Sequence, residues 1–152
     1  LKLAEGLVLR ADTKKRIEQL RDRLRLSALV QEGEEPPENP EELLVELNRL
    51  LAQLTDLVQR INRTNLGAVL PDGATLTDAL AVRDTLTLHH GVLKIVADAA
   101  SPQFDRLRQA EIKKVATIKV AALRIQMDEI AKQRRELDTL IQSANWTIEL
   151  LD

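Results

Sequence analysis

The only two imidazoles of the chain stand side by side, His89-His90. If the surrounding stretch is helical, His90 shares a face with Leu86 and Leu93 while His89 lies further round. A core-facing histidine can ligate a metal or move protons near neutral pH. Adjacent helical positions do not face one another, however, and the chain contains no His-x-x-x-His and no Glu-x-x-His pair. That spacing favours a hydrogen-bonded, partly buried histidine at His90 over a metal ligand.

Four cations interrupt apolar stripes: Arg10, Lys14, Arg83 and Arg134. An unpaired buried guanidinium costs several kcal/mol, so each must reach an acid or extend to water. Glu5, Asp12, Asp78, Asp84 and Glu136 are the expected partners. Together these cations could line an anion pocket, but ion pairs that fix helix register are the commoner outcome. Asn65 and its counterpart Asn145 stand near helix ends, where asparagine often takes the left-handed cap position. Trp146 follows Asn145 and either closes the end of the fold or anchors an interface.

The segment 32–42 is acidic, and Arg106, Arg108, Lys113, Lys114 and Lys119 make a basic counterpart. Neither carries the spaced oxygen ligands of a calcium loop, so mutual attraction or plain solvation is expected of both. No Gly-x-Ser-x-Gly turn, phosphate-binding glycine loop or dinucleotide fingerprint occurs. With no cysteine, disulfides, thiolate metal sites and cysteine catalysis are excluded. No catalytic residue, cofactor or metal is expected.

The elements that must hold these side chains show a clear period. Leu43, Leu47, Leu50, Leu54, Leu57, Ile61 and Thr64 alternate spacings of four and three, and so do Leu123, Met127, Ile130, Arg134, Leu137, Ile141 and Ala144, eighty positions on. Such a stripe needs a partner helix to cover it. Helix one is expected from Leu3 to about Leu26, with Leu3, Leu7, Ile17, Leu20 and Leu24 on one face. Asn39-Pro40 opens helix two, which runs to about Asn65 with Gly67 placed for a left-handed cap. Pro71-Asp72-Gly73 is a turn, and Thr75 or Thr77 caps a third helix ending near Ala100 before Ser101-Pro102. Helix four is expected from Val120 to about Leu150. The stretch 103–119 between them has a helical first half and a β-branched, alternating second half.

LAEGLVLR at 3–10 matches LTDALAVR at 76–83, and LVQRINRTN at 57–65 matches LDTLIQSAN at 137–145. The chain therefore reads as one helical domain, 1–152, made of pseudo-repeats 1–66 and 74–152. The expected fold is mainly α: an antiparallel four-helix bundle from a duplicated helical hairpin. A short β-ribbon pairing about 28–31 with 114–118, or else two unpaired loops, would close one end.

Composition agrees. Hydrophobic residues make up 44% and charged residues 30%, against only five Gly and five Pro, which suits long amphipathic helices. A net charge of −2 and 1% aromatics give no case for nucleic acid. No run approaches a membrane span, and no basic segment precedes an apolar signal core, so retention in the cytoplasm is expected. The chain opens on Leu1 rather than Met, so either its start codon is unusual or upstream sequence is absent.

With QEGEEP at 31–36, INRTN at 61–65, LTDALAVRD at 76–84, EIKKVATIKVAAL at 111–123 and ELDTLIQSANWTIELL at 136–151, the chain resembles, nearly end to end, a family of small bacterial proteins called septicolysin. The resemblance implies a helical fold in a bacterial protein and brings no catalytic residues. The name implies a pore-forming cytolysin, whereas the chain shows neither an export signal nor a membrane-competent segment. The function expected is a self-associating structural or interaction module, a homo-oligomer without catalysis. The alternative is a ligand- or metal-binding bundle using His90 and the seam arginines with Glu5 or Glu111.

Overall fold

Proline, asparagine and threonine set the helix starts. Asn39 is extended, and its side-chain oxygen accepts the Glu41 N–H at 3.0 Å, with Pro40 at the first helical position. Thr75 does the same for the Asp78 N–H at 3.1 Å. Each cap satisfies one of the N–H groups that a helix leaves without an internal partner. The computed structural model describes residues 1–101 and 112–152 and gives four helices: α1 Leu3–Ser27, α2 Pro40–Gly67, α3 Leu76–Ala100 and α4 Val120–Thr147. No strand forms among the described residues, and the mainly α, four-helix class read from the sequence holds. The expected stop at Pro102, the stretch beginning at Gln103, and Arg106, Arg108 and Glu111 lie outside the described residues.

The chain divides into two units, Leu1–Val69 with Gln142–Asp152, and Leu70–Ile141. In the first, α1 and α2 form an antiparallel hairpin. Leu20 near the end of α1 packs with Leu43 and Leu50 near the start of α2, and Ile17, Leu24 and Leu47 close around them. In the second, Ala97 near the end of α3 packs with Leu123 and Met127 at the start of α4, flanked by Leu93, Val96 and Val120. Both seven-residue stripes face inward: every member is buried or half-buried. Burying a large aliphatic side chain contributes about 1.5–3 kcal/mol, so these seams dominate the stability of each hairpin.

The turns follow from backbone chemistry. Gly73 has φ +88°, donates to the Leu70 carbonyl at 2.9 Å, and lies beside Asp72, whose carboxylate accepts the Ala74 N–H at 3.0 Å. Gly33, at φ +87°, turns the chain between α1 and α2. Only glycine takes such left-handed positions without strain.

Four local expectations are corrected. Gly67 is not left-handed: α2 ends instead at an extended Ala68 whose N–H reaches the Thr64 carbonyl at 2.9 Å. Neither Asn65 nor Asn145 is a left-handed cap, since no non-glycine described residue has positive φ. Lys14 is off the seam and exposed. Thr13 holds the seam position, 3% exposed, its hydroxyl bonded to the Leu9 carbonyl at 2.7 Å. Residues 28–31 and 114–118 form no strand; the bridge that does form joins Lys2 and Glu149.

Candidate functional site

Of the seam charges, Arg83 finds a defined partner. Its guanidinium donates to the Asp138 carboxylate at 2.9 Å, joining α3 to α4. Asp138 was not among the acids expected. It stands one residue past the apolar Leu137, so it flanks the stripe and reaches across it. His90 is half-buried on α3, and Arg134 is half-buried on α4 where α2 has Leu54. Arg10 is half-buried in the first unit. Among the described residues no three His, Cys, Asp or Glu side chains gather closely enough to hold a metal. The second hairpin thus carries an interhelical ion pair.

The densest polar assembly is one that the sequence did not announce. Helix α4 stops at Thr147 rather than near Leu150, and the tail turns extended along the start of α1 and the end of α2. The Leu3 N–H donates to the Ile148 carbonyl at 2.9 Å, and the Leu150 N–H to the Leu1 carbonyl at 2.8 Å. The Leu151 N–H donates to the Thr64 hydroxyl at 3.0 Å, while that hydroxyl donates to the Arg60 carbonyl at 2.8 Å. Arg60 binds the Leu151 carbonyl at 2.9 Å and the Asp152 carboxylate at 3.2 Å. Lys2 Nζ pairs with Glu149.

This clasp explains two residues. Thr64 completes the α2 stripe at 1% exposure, where a hydroxyl needs partners, and the tail supplies one. Gly6 leaves room for Leu150: a Cβ there would meet Leu150 Cδ2 at 2.9 Å. A threonine at a seam position and a glycine inside a helix were the available signals. Lys2 chiefly holds the Glu149 carboxyl below the usual range. Asn145 is buried beside the tail and Asn65 half-buried. Trp146 is 62% exposed, so the first of its two readings, closing the end of the fold, is not what it does.

The loop between α1 and α2 makes an open cleft of about 490 Å³ lined by Leu26, Leu29, Val30, Gln31, Glu34, Glu35 and Pro37. Behind it, the Arg23 guanidinium donates to Glu38 at 2.9 Å and lowers that carboxyl from its ordinary value. The acidic loop therefore finds a cation on its own hairpin. Glu46 is likewise lowered by Arg49, three residues along α2, at 2.7 and 2.9 Å. Both pairs are exposed and worth little to stability.

The arrangement is that of a helical protein built of two hairpins, the first of them fastened by the tail of α4. Residues 10–150 match the model of a family of unknown function (DUF6847), and the chain belongs to that family. A solved structure described as a functionally unknown conserved protein from Corynebacterium diphtheriae is 43% identical, with 99% of this chain and 98% of that one aligned at a TM-score of 0.93. No curated protein matches. Neither finding carries the septicolysin name, so the resemblance drawn from QEGEEP, INRTN and the other segments is corrected to this family. No helix among the described residues is long and apolar enough to cross a membrane.

Proposed function

We propose that the chain is an interaction module without chemistry of its own, which associates with further copies of itself in the cytoplasm of a bacterium. One observation carries this reading: Leu88, Val92 and Ile95 stand open in a row on one face of α3, whose other face is already covered. Single exposed aliphatics are ordinary, but a contiguous row on one helix face marks a surface made to be covered. The polar groups support the same reading. The Arg83–Asp138 pair and the terminal clasp hold elements together, and neither pairs a nucleophile with a base. A net charge of −2, with one Trp and one Phe, offers no basic field or stacking surface for nucleic acid.

The test is molar mass by light scattering or sedimentation across about 1–100 μM, the range in which modest interfaces assemble. The mass should rise with concentration to a multiple of 17.1 kDa. A mass fixed at the single-chain value throughout would overturn the proposal.

A further inference from the structure

Residues 148–152 are extended and alternate as a strand does: Ile148 is half-buried and Leu150 buried, while Glu149 and Leu151 are exposed. Main-chain bonds tie the segment to Leu1 and Leu3 at the start of α1 and to Thr64 and Arg60 of α2. Leu150 fills the space that Gly6 leaves open, and Lys2 and Arg60 meet the Glu149 and Asp152 carboxylates. Main-chain bonds, a notch for one alternate side chain and cations set against acids are the means by which a folded surface receives an extended peptide. Here the peptide is the chain's own.

The segment is held lightly. Leu150 is its one buried side chain, and the Glu149 and Asp152 carboxylates are exposed, so their ion pairs add little. The hairpin beneath rests on Leu20, Leu43 and Leu50, with Leu24 and Leu47 around them, and none of these belongs to the segment. A segment with so few contacts lifts while the rest of the structure stays folded. Gly6 is fixed by α1, and Arg60 and Thr64 by α2, so the groove outlasts the lifting.

The occupant that fits the groove is carried by every copy of the chain. Five extended residues span about 17 Å, enough to pass from the end of one α4 to a neighbouring molecule. We infer that two copies of this chain associate by exchanging residues 148–152, each segment lying across the start of α1 and the end of α2 of the other. Exchange rebuilds contacts that each chain already makes, a low-cost route to a symmetric dimer. Each segment competes with its own groove, and two exchanged segments holding one pair of chains offset that advantage. This contact is separate from the α3 row and adds a second surface to the self-association proposed above.

The test mixes two variants of the whole chain. Leu150→Asp cannot seat its own segment and leaves its groove open, whereas Gly6→Val blocks its groove and leaves its segment intact. Both should keep their helical circular dichroism, since the hairpin seam is untouched. With the Leu150→Asp chain isotope-labelled, adding the Gly6→Val chain to about 1 mM should shift the Gly6 and Thr64 amide resonances. A chain carrying both substitutions should shift neither. In the wild type, the Leu3, Leu150 and Leu151 amides should exchange hydrogen about 100-fold or more faster than that of Ile61, buried in α2. Resonances that stay in place on mixing, or move equally with the double variant, would overturn the exchange and leave self-association through another face standing. Loss of fold in either variant, or strap amides exchanging at the Ile61 rate, would show that the segment does not lift and would overturn it too. A wild type fixed at the single-chain mass would overturn the exchange and the proposal above together.

Discussion

Replacing Gly6 by alanine should destabilise the protein, although the same change in an unobstructed helix would stabilise it. Gly6 lies in the first turns of α1, where alanine is favoured by about 1 kcal/mol. Against this, the new Cβ would sit 2.9 Å from Leu150 Cδ2 and 3.4 Å from Cδ1. Leu150 is 7% exposed, and its backbone is held by the Leu1 carbonyl at 2.8 Å, so the side chain has little room to retreat. Overpacking of this kind costs about 1–3 kcal/mol. The expected net effect of Gly6→Ala is a loss of roughly 0–2 kcal/mol.

The sign should reverse when the obstacle is removed. Leu150→Ala alone should cost about 2–4 kcal/mol, the transfer of a buried leucine plus the cavity left behind. In that background Gly6→Ala should be stabilising by about 0.5–1 kcal/mol, because only the helix propensity remains. The four proteins form a double-mutant cycle with a coupling of about 1–3 kcal/mol. Urea unfolding followed by circular dichroism measures it, at one fixed protein concentration so that self-association does not intrude. Trp146, the only tryptophan and next to buried Asn145, gives a local second probe of the clasp. If Gly6→Ala stabilises both backgrounds equally, the tail does not pack on α1 and the clasp is wrong.

Two further outcomes follow from the same tail. Thr64→Val keeps the shape of a side chain 1% exposed but strands the Leu151 N–H, and should cost about 1–2 kcal/mol in urea unfolding. Full stability in that variant would mean the hydroxyl is not the tail's anchor. The Glu149 carboxyl is lowered chiefly by Lys2, so its contribution is complete above the unfolded carboxylate value of about 4.3. That contribution is lost as pH falls through the lower folded value. Glu149→Gln should therefore melt slightly below wild type at pH 7, with the difference vanishing in acid and shrinking in salt. A gap that persists in acid would contradict the pairing.

The seams were legible because their signal is periodic and redundant. Leu43 to Thr64 and Leu123 to Ala144 face inward because seven positions agree, and no single exception such as Arg134 disturbs the pattern. Caps and turns were legible for the opposite reason: Asn39, Thr75 and Pro71-Asp72-Gly73 act through their own backbone geometry and need no distant partner. What failed depends on contacts remote in sequence. Ile148 and Leu151 fit the α4 period, yet the Thr64 hydroxyl and the Leu1 and Leu3 backbone groups draw the tail out of the helix. Lys14 and Thr13 are adjacent, and a phase error of one residue decides which of them the seam receives. Asp138 escaped notice because a half-turn flank of a stripe looks like solvent until the facing helix presents Arg83.

The two hairpins also differ in a consistent direction. On the seam, Ile17 of α1 is replaced in α3 by His90, and Leu54 of α2 is replaced in α4 by Arg134. On the outer face the exchange runs the other way, with Lys15, Gln19 and Asp22 of α1 replaced by Leu88, Val92 and Ile95 of α3. At these positions the second hairpin has lost apolar area on its seam and gained it on a face exposed among the described residues. A change of that kind lowers the stability of the hairpin standing alone, since the outer side chains gain nothing until water leaves them. The first hairpin keeps an aliphatic seam at those positions, and Leu150 and Thr64 tie the tail across its end. The two halves thus diverge in where their apolar area lies: at these positions the first keeps it on the seam and the second carries it on the outer face.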